Sequence, residues 1–295
     1  FSWNGSSSEF IFRRIWLNVV IICAVQVILD PVFKFATGLG FDNSSLIGGV
    51  GNANNFGYWL LCVAIYSQIM WRNFFLFSFF VISSLFTGSG FVILMAAIVF
   101  MTFSFAFIKK AHVLYLFFLG IIIIAIFSLI TELVPVYIHP YVAISHGVDK
   151  ISFLYDTLMG SAQGDAMSIS GRLEYIREGL HLLAEYPLSL IIGHPNGRPI
   201  FTGDGWWVSV MVTHGVIVFF VFVLANMAII LKGFKMGSPE SLVCSFLILL
   251  TCAFFMVNRL LAYWPAAFIY FLSVGFICNY SQSILQLEKR KKYFD

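Results

Sequence analysis

The chain has 295 residues, of which 60% are hydrophobic, 18% are aromatic and only 11% are charged. A soluble globular domain is nearer half apolar and a quarter charged, so this chain has too few polar side chains to cover a water-exposed surface. Its formal net charge of +3 is too small and too dispersed for a nucleic-acid-binding surface. The composition predicts an integral membrane protein with no nucleic-acid partner.

The cysteines indicate neither a disulfide framework nor a zinc site, because each lies inside an apolar run and none belongs to a Cys-x-x-Cys or His/Cys cluster. We expect no metal and no cofactor. The chain begins at Phe1 without an initiating Met, so we also expect it to be a portion of a longer protein. The five cysteines are Cys23, Cys62, Cys244, Cys252 and Cys278.

Eight apolar runs are candidate membrane spans, because a bilayer core of about 30 Å requires roughly 20 helical residues. Thr87-Gly88-Ser89-Gly90 is a turn signal that divides residues 74–108 into two short helices. The sequence therefore predicts an all-α bundle of about eight transmembrane helices. The runs are residues 10–29, 56–71, 74–86, 91–108, 113–130, 207–231, 241–257 and 263–281.

The distribution of basic residues orients this predicted bundle. Lys34 and Arg259 are the basic residues on the short loops of one side, and four more lie in one long loop, residues 131–206. We place both termini in the cytoplasm and the long loop in the periplasm. The other eleven of the seventeen basic residues are assigned to the cytoplasmic side: Arg13, Arg14, Arg72, Lys109, Lys110, Lys232, Lys235, Lys289, Arg290, Lys291 and Lys292.

Three parts follow from these spans. Residues 1–130 are predicted to form an N-terminal membrane bundle of about five spans, and residues 207–295 a C-terminal bundle of about three spans with a basic tail. Between them, residues 131–206 form a periplasmic loop that is too long for an ordinary connection and is predicted to be partly helical.

An amphipathic helix is predicted inside this loop, lying on the bundle or in the membrane interface. Leu173, Ile176, Leu180 and Leu183 recur at helical spacing, Ser170 is a plausible N-cap, and Pro187 stops the pattern. Arg172 and Tyr175 then point the same way from the first turn, where helix N–H groups favour an anion.

Two further groups of residues are candidates for a site. Arg198, His194 and Asp204 lie in Gly- and Pro-rich turns that can bring them together at the membrane surface, although a turn-stabilising or solvated role also explains His194. Asn52, Asn54 and Asn55 are interpreted first as turn and cap residues and second as sugar contacts.

The order of these motifs resembles the bacterial O-antigen polymerase and O-antigen ligase superfamily. The resemblance runs from about residue 45 to residue 280, and each motif alone is short and degenerate. In chain order the motifs are GGVGNANNFG at residues 48–57, Thr87-Gly88-Ser89-Gly90, Ser170-Gly171-Arg172, the GHPNGRP and GDGWW stretches within residues 193–207, and Thr213-His214-Gly215.

This resemblance implies a glycosyltransferase of the bacterial inner membrane with its active site facing the periplasm. Its substrates would be undecaprenyl-pyrophosphate-linked glycans, used without nucleotide sugars or metal, and its partners the lipid bilayer and a chain-length regulator protein. Arg172 matches the arginine that engages the lipid pyrophosphate in such proteins. Asp204 matches a position that is often Asp in polymerases and His in ligases, which favours a polymerase and leaves the ligase as the alternative.

The chain departs from the family at one place, where Ser89 is followed by Gly90 and not by an arginine. A second anion-binding arginine must then be Arg198 or Arg259, although Arg259 is also suited to reach membrane headgroups. Arginine fits this role because its planar fork binds phosphate through two N–H groups.

The resulting assignment makes Arg172 and Asp204 catalytic, with His194 as the base if Asp204 is not. The predicted substrate-binding residues are Arg198, Arg259, Tyr175, Asn52, Asn55 and Ser89. A transporter or flippase for polyisoprenoid-linked sugars is the alternative from another class. It is disfavoured because the predicted spans have few charges and no repeat. A scaffold protein gives no reason for the charged outer loop.

Overall fold

The computed structural model describes residues 5–37, 52–107, 140–159, 167–186, 188–194, 206–255 and 264–291. These residues form eleven α-helices and no β-strand, so the predicted all-α fold is confirmed for them. The predicted span at residues 113–130 lies outside this set. The helices are α1 Gly5–Thr37, α2 Ala53–Trp71, α3 Phe74–Leu85, α4 Gly90–Phe107, α5 Pro140–Leu158, α6 Met167–Glu185, α7 Ser189–Ile192, α8 Trp206–His214, α9 Val216–Met236, α10 Pro239–Phe254 and α11 Trp264–Lys291.

The chain forms two compact units. Trp16–Ala162 make up the N-terminal unit, and Phe1–Ile15 together with Gln163–Asp295 make up the C-terminal unit. The segment predicted as one periplasmic loop is thus shared: α5 belongs to the N-terminal unit, and α6 and α7 belong to the C-terminal unit.

In the N-terminal unit, α2 is the central helix and is buried on nearly every side. Asn52 caps its start by accepting a hydrogen bond from the Asn55 N–H at 3.2 Å, and Asn73 caps α3 by accepting one from the Leu76 N–H at 3.1 Å. Arg72 ends α2 in the left-handed region, with φ 50°. Two residues are therefore enough to turn the chain from α2 into α3.

The predicted break at residues 87–90 is confirmed. The α3 helix ends at Leu85 and α4 begins at Gly90, with Gly88 at φ 65° in the turn between them. A Cβ atom on Gly90 would lie 2.8 Å from the Gly147 carbonyl oxygen, so α5 packs directly on the start of α4. The α5 helix was not predicted, because residues 140–158 mix polar and apolar side chains and did not stand out as an apolar run.

The C-terminal unit is built around α9, α10 and α11. Gly233 allows α9 and α10 to approach closely, because a Cβ atom there would lie 2.1 Å from the Ser245 hydroxyl. The Tyr270 hydroxyl donates to the Asn226 side-chain oxygen at 2.7 Å, and this buried hydrogen bond ties α11 to α9. Ser238 caps α10 and Pro239 is its first residue, a position where the missing N–H of proline costs nothing.

An ion pair joins the beginning of the chain to α10 within this unit. The Arg13 guanidinium donates from Nε at 3.0 Å and from Nη2 at 2.6 Å to one carboxylate oxygen of Glu240. The Glu240 side chain is 3% exposed, whereas that of Arg13 is 58% exposed. Phe12 packs on Phe276 beside the pair, with ring centroids 5.0 Å apart.

Two predicted helix boundaries are wrong. The run 207–231 is not one helix: it breaks at Gly215, whose φ of 92° strongly disfavours any residue with a Cβ. The α6 helix begins at Met167, three residues before Ser170. Ser170 therefore does not cap the helix, and Arg172 lies in its second turn and not at its free N–H groups.

Among the described residues, two helices are long and apolar enough to cross a membrane: Glu9–Asp30 within α1 and Val216–Met236, which is α9. Only 22% and 17% of their most apolar stretches are buried, unlike the core helix of a soluble protein. The shorter apolar helices are Phe74–Leu85, Gly90–Phe103, Pro239–Phe254 and Pro265–Asn279. A weak indication of membrane association follows, and the eight spans stay a prediction.

Removing Arg13 tests the ion pair. Arg13→Ala leaves the buried Glu240 carboxylate without its cation and should lower the free energy of unfolding by about 1–3 kcal/mol. The measurement is thermal unfolding in detergent. Arg14→Ala, at an exposed position whose described contact is a Phe10 ring 6.0 Å away, is the control and should have little effect. The double variant Arg13→Met with Glu240→Met should recover most of the lost free energy of unfolding. Equal losses in Arg13→Ala and Arg14→Ala would contradict a stabilising role for the ion pair.

Candidate functional site

The predicted site residues whose side chains are described fall mainly into two clusters, one in each unit. In the N-terminal unit, Asn52, Asn54, Asn55 and Ser89 form what we call the asparagine–serine cluster. In the C-terminal unit, His194 lies in a cavity that we call the His194 pocket. Tyr175, also in that unit, is 38% exposed on α6.

The asparagine–serine cluster joins the starts of α2 and α4. The Ser89 hydroxyl donates to the Asn54 side-chain oxygen and accepts from the Val92 N–H at 3.3 Å. Ser89 and Asn55 are 8% and 9% exposed, whereas Asn52 is exposed. The structure thus brings Ser89 into contact with Asn54, which lies 35 positions earlier in the sequence.

The geometry of this cluster fits the capping interpretation. Asn52 and Ser89 each accept a hydrogen bond from the backbone N–H three residues later, which is the bond of an N-cap. A side-chain oxygen used in this way holds the helix start rigid. The sugar-contact assignment of Asn52, Asn55 and Ser89 stays a prediction.

The His194 pocket exists because two backbone segments touch. A Cβ atom on Gly193 would lie 2.4 Å from the Thr213 carbonyl oxygen, and one on Gly215 would lie 2.2 Å from the Ile191 carbonyl oxygen. Both glycines have positive φ, 83° and 92°. The His194 N–H donates to the Val212 carbonyl at 2.7 Å, which fixes the segment after α7 against the end of α8.

The pocket has a volume of about 460 Å³, within the usual range of about 300–1,000 Å³ for small-ligand sites. His194 is 6% exposed, and its ring meets the Tyr186 ring edge to face with centroids 4.9 Å apart. The lining residues are Tyr186, Leu188, Ser189, Ile192, Gly193, His194 and Thr213.

Two of the hydroxyl groups in this lining are already used as donors. Ser189 donates to the Tyr186 carbonyl at 2.5 Å, and Thr213 donates to the Ser209 carbonyl at 2.6 Å. Each of these oxygens can therefore only accept a further hydrogen bond. The lining also contains the imidazole of His194, and histidine is the side chain most often used as a general acid or base.

Most of the length of α6 lies between Arg172 and this pocket. Glu185, which ends the helix beside Tyr186, is thirteen residues after Arg172 and therefore about 20 Å away at 1.5 Å per residue. An arginine side chain does not cross that distance. A ligand held by Arg172 reaches His194 only if it is long, as a lipid-linked oligosaccharide is.

Three predicted site residues, Arg198, Asp204 and Arg259, lie outside the described residues. Within the part of the chain that the structure describes, no group of three or more His, Cys, Asp or Glu side chains is arranged to hold a metal ion.

Sequence reasoning missed Tyr186, Ser189 and Thr213 as pocket residues. Thr213 belongs to the Thr213-His214-Gly215 motif, which signalled that position without giving it a role. Tyr186 stands directly before Pro187, and Ser189 carries no signal. These residues become neighbours of His194 only through the contact between the Gly193 and Gly215 segments.

Comparison with protein-family models, with curated proteins and with solved structures finds no match to this chain.

Substitution of Gly215 tests the pocket. Gly215→Ala places a Cβ against the Ile191 carbonyl at a disfavoured φ, so it should lower the free energy of unfolding by about 2 kcal/mol or more. Thermal unfolding in detergent measures this, and modification of His194 by diethyl pyrocarbonate should become faster as the pocket opens. Gly275→Ala is the control, since nothing lies within 4 Å of its added Cβ. An unchanged rate of His194 modification in Gly215→Ala would refute this account of the pocket.

Proposed function

We propose that this chain is a multi-pass glycosyltransferase of the bacterial inner membrane that polymerises undecaprenyl-pyrophosphate-linked oligosaccharide units at the periplasmic face. The apolar composition, the two membrane-length helices and the order of the family-like motifs support a membrane enzyme of this class. About eight spans, both termini in the cytoplasm and independence of metal ions belong to the proposal.

The observation that carries the proposal is the position of the His194 pocket. Its wall contains Gly193, which packs on the backbone next to Gly215, where the membrane-length helix α9 begins. A pocket that contains a histidine and hydroxyl groups at the end of such a helix is suited to bind the glycan of a lipid-linked substrate near the membrane surface. A polyprenyl pyrophosphate is already an activated leaving group, so the protein has to position it, stabilise its charge and deprotonate the acceptor hydroxyl.

Two arrangements of the catalytic groups are compatible with the distance along α6. In the first, Arg172 binds the pyrophosphate, Asp204 is the base, and His194 contacts a more distant part of the glycan. In the second, Arg198, four residues after His194, binds the pyrophosphate, and His194 is the base. We favour the first, which keeps the family-like assignment of Arg172 and Asp204. Arg259, Tyr175 and the asparagine–serine cluster are assigned to substrate binding in both.

The O-antigen ligase is the second candidate, since it uses the same lipid-linked donor and differs in its acceptor, the lipid A-core. The choice of polymerase rests on Asp204. A flippase is the alternative from another class. The described part of the proposed spans contains few charges, with Glu240 paired at the start of α10, and this favours an enzyme over a transporter.

The membrane orientation is tested by labelling single introduced cysteines with a membrane-impermeant reagent in intact cells. Exposed positions of α5, such as 148, 152 and 155, should react from the periplasm, and positions 109–112 should react only after the inner membrane is permeabilised. This follows from the positive-inside distribution of basic residues. The reverse pattern would overturn the whole arrangement.

The catalytic arrangement is tested by polysaccharide chain length in a strain that carries only the variant protein. In the first arrangement, Arg172→Ala should lose about 10²–10³-fold in rate, as removal of a transition-state charge contact does. Arg172→Lys should fail almost as badly because lysine lacks the planar fork, and Asp204→Asn should fail as well. Arg177→Ala, at an exposed position one turn along α6, is the matched control, since exposed ion pairs contribute at most about 1 kcal/mol.

The opposite pattern identifies the second arrangement: Arg198→Ala and His194→Gln fail, while Arg172→Ala retains normal chain length.

The same strains separate polymerase from ligase. Loss of a polymerase leaves lipopolysaccharide with single repeat units, whereas loss of a ligase leaves bare core while long chains accumulate on the lipid carrier. Membrane levels of each variant must match the parent protein, because a misfolded loop would imitate a catalytic loss.

A further inference from the structure

Apolar side chains are exposed along α6 and α7. Ile176 and Leu180 of α6 are 39% and 53% exposed, and Leu188, Ile191 and Ile192 around α7 are 66%, 53% and 66% exposed. We call these five residues the α6–α7 surface. Leu188, Ile191 and Ile192 stand at spacings of three and four, so they share one side of the turn.

The α6 helix is amphipathic in a strict sense. Glu174, Glu178, His181 and Glu185 recur every three or four residues on one side, and all are exposed. Ile176, Leu180 and Leu183 recur with the same spacing but are displaced by two residues, which is about 200° around a helix of 3.6 residues per turn. Leu183 packs against Val212 of α8, whereas Ile176 and Leu180, on the same side, are not buried by any of the described residues.

The position of α7 next to α9 indicates which kind of partner covers the apolar side of α6. The carbonyl of Ile191 abuts Gly215, directly before α9. The 21 residues of α9 span about 31 Å, close to the thickness of a bilayer core of about 30 Å, so an α9 that crosses the membrane has its first turn at a membrane surface. Its exposed apolar side chains start in that turn with Ile217 and Val218, so apolar surface continues from α7 into α9.

We propose that the α6–α7 surface is inserted among the headgroups and upper acyl chains of a phospholipid bilayer. In this arrangement α6 and α7 are an interfacial anchor that holds the His194 pocket at the membrane surface. The proposal rests on α9 crossing the membrane, which is part of the proposed function, and does not depend on glycosyl transfer.

The charges of α6 specify the kind of lipid surface. Its polar side has three glutamates facing water with Arg177 and His181, so it has no excess of positive charge to attract anionic headgroups. Burial of apolar area must then drive insertion. Neutral phosphatidylcholine should be sufficient, and salt should not release the anchor.

The test uses the full chain in phosphatidylcholine vesicles, with the photoreactive residue p-benzoylphenylalanine at one position at a time. Positions 180, 188 and 192 should give several-fold more phospholipid adducts, identified by mass spectrometry, than position 178 on the opposite side of α6. The yield should change little when anionic lipid or salt is added. Position 224, exposed in the middle of α9, is the reference for a lipid-facing residue.

Each other outcome overturns the proposal in a recognisable way. If position 224 gives lipid adducts but positions 180, 188 and 192 do not, the anchor is wrong and the proposed membrane enzyme is unaffected. If position 224 also gives none, the membrane arrangement fails together with the anchor. Cross-linked dimers from positions 188 and 192 would assign this surface to a second copy of the chain. A yield that requires anionic lipid would refute insertion driven by apolar burial.

Discussion

The direct contact between two backbone segments, Ile191–His194 and Thr213–Gly215, is the constraint on which the candidate site depends. Gly193 and Gly215 permit it, since each would place a Cβ atom within 2.4 Å of a carbonyl oxygen of the other segment. This contact ends α8, sets the direction in which α9 begins, and closes the wall behind His194. It also brings α7 to the first turn of α9. The His194 pocket, the helix break at Gly215 and the position of the exposed apolar side chains around α7 therefore depend on the same contact between backbone segments.

The apolar excess of the chain has a matching consequence for polar groups. Several neutral polar side chains of the described residues form hydrogen bonds with backbone groups a few positions away: asparagine and serine caps at α2, α3, α4 and α10, and hydroxyls of Ser189 and Thr213 that donate to carbonyls of nearby residues. Tyr270 with Asn226 and Arg13 with Glu240 join separate helices in the C-terminal unit.

The sequence predicted the features that depend on local chemistry. Helical content followed from composition. The break between α3 and α4 followed from Thr87-Gly88-Ser89-Gly90, because glycine favours a turn when no tertiary contact imposes another conformation.

Features set by distant contacts were missed. The apolar run 207–231 alone does not predict the helix break at Gly215. The break depends on contact with a distant segment that begins at Ile191. The α5 helix was not predicted because its sequence is neither apolar enough for a membrane span nor cleanly periodic. The start of α6 at Met167 was predicted wrongly because Ser170, three residues later, is also a plausible N-cap. His194 was predicted as a candidate, but its partners Tyr186 and Thr213 needed the tertiary contact.

The Arg13–Glu240 pair also sets the earliest time at which the segment around Arg13 can dock on α10. Its partners are 227 positions apart, and translation at about 5–20 residues per second separates their synthesis by roughly 10–45 s. During that interval the segment around Phe12 and Arg13 has been made but lacks both Glu240 and the Phe276 ring. The start of α1 therefore has to be held by other contacts before Glu240 exists. Any factor that captured or cleaved the segment around Arg13 during this interval would leave the buried Glu240 carboxylate without its cation.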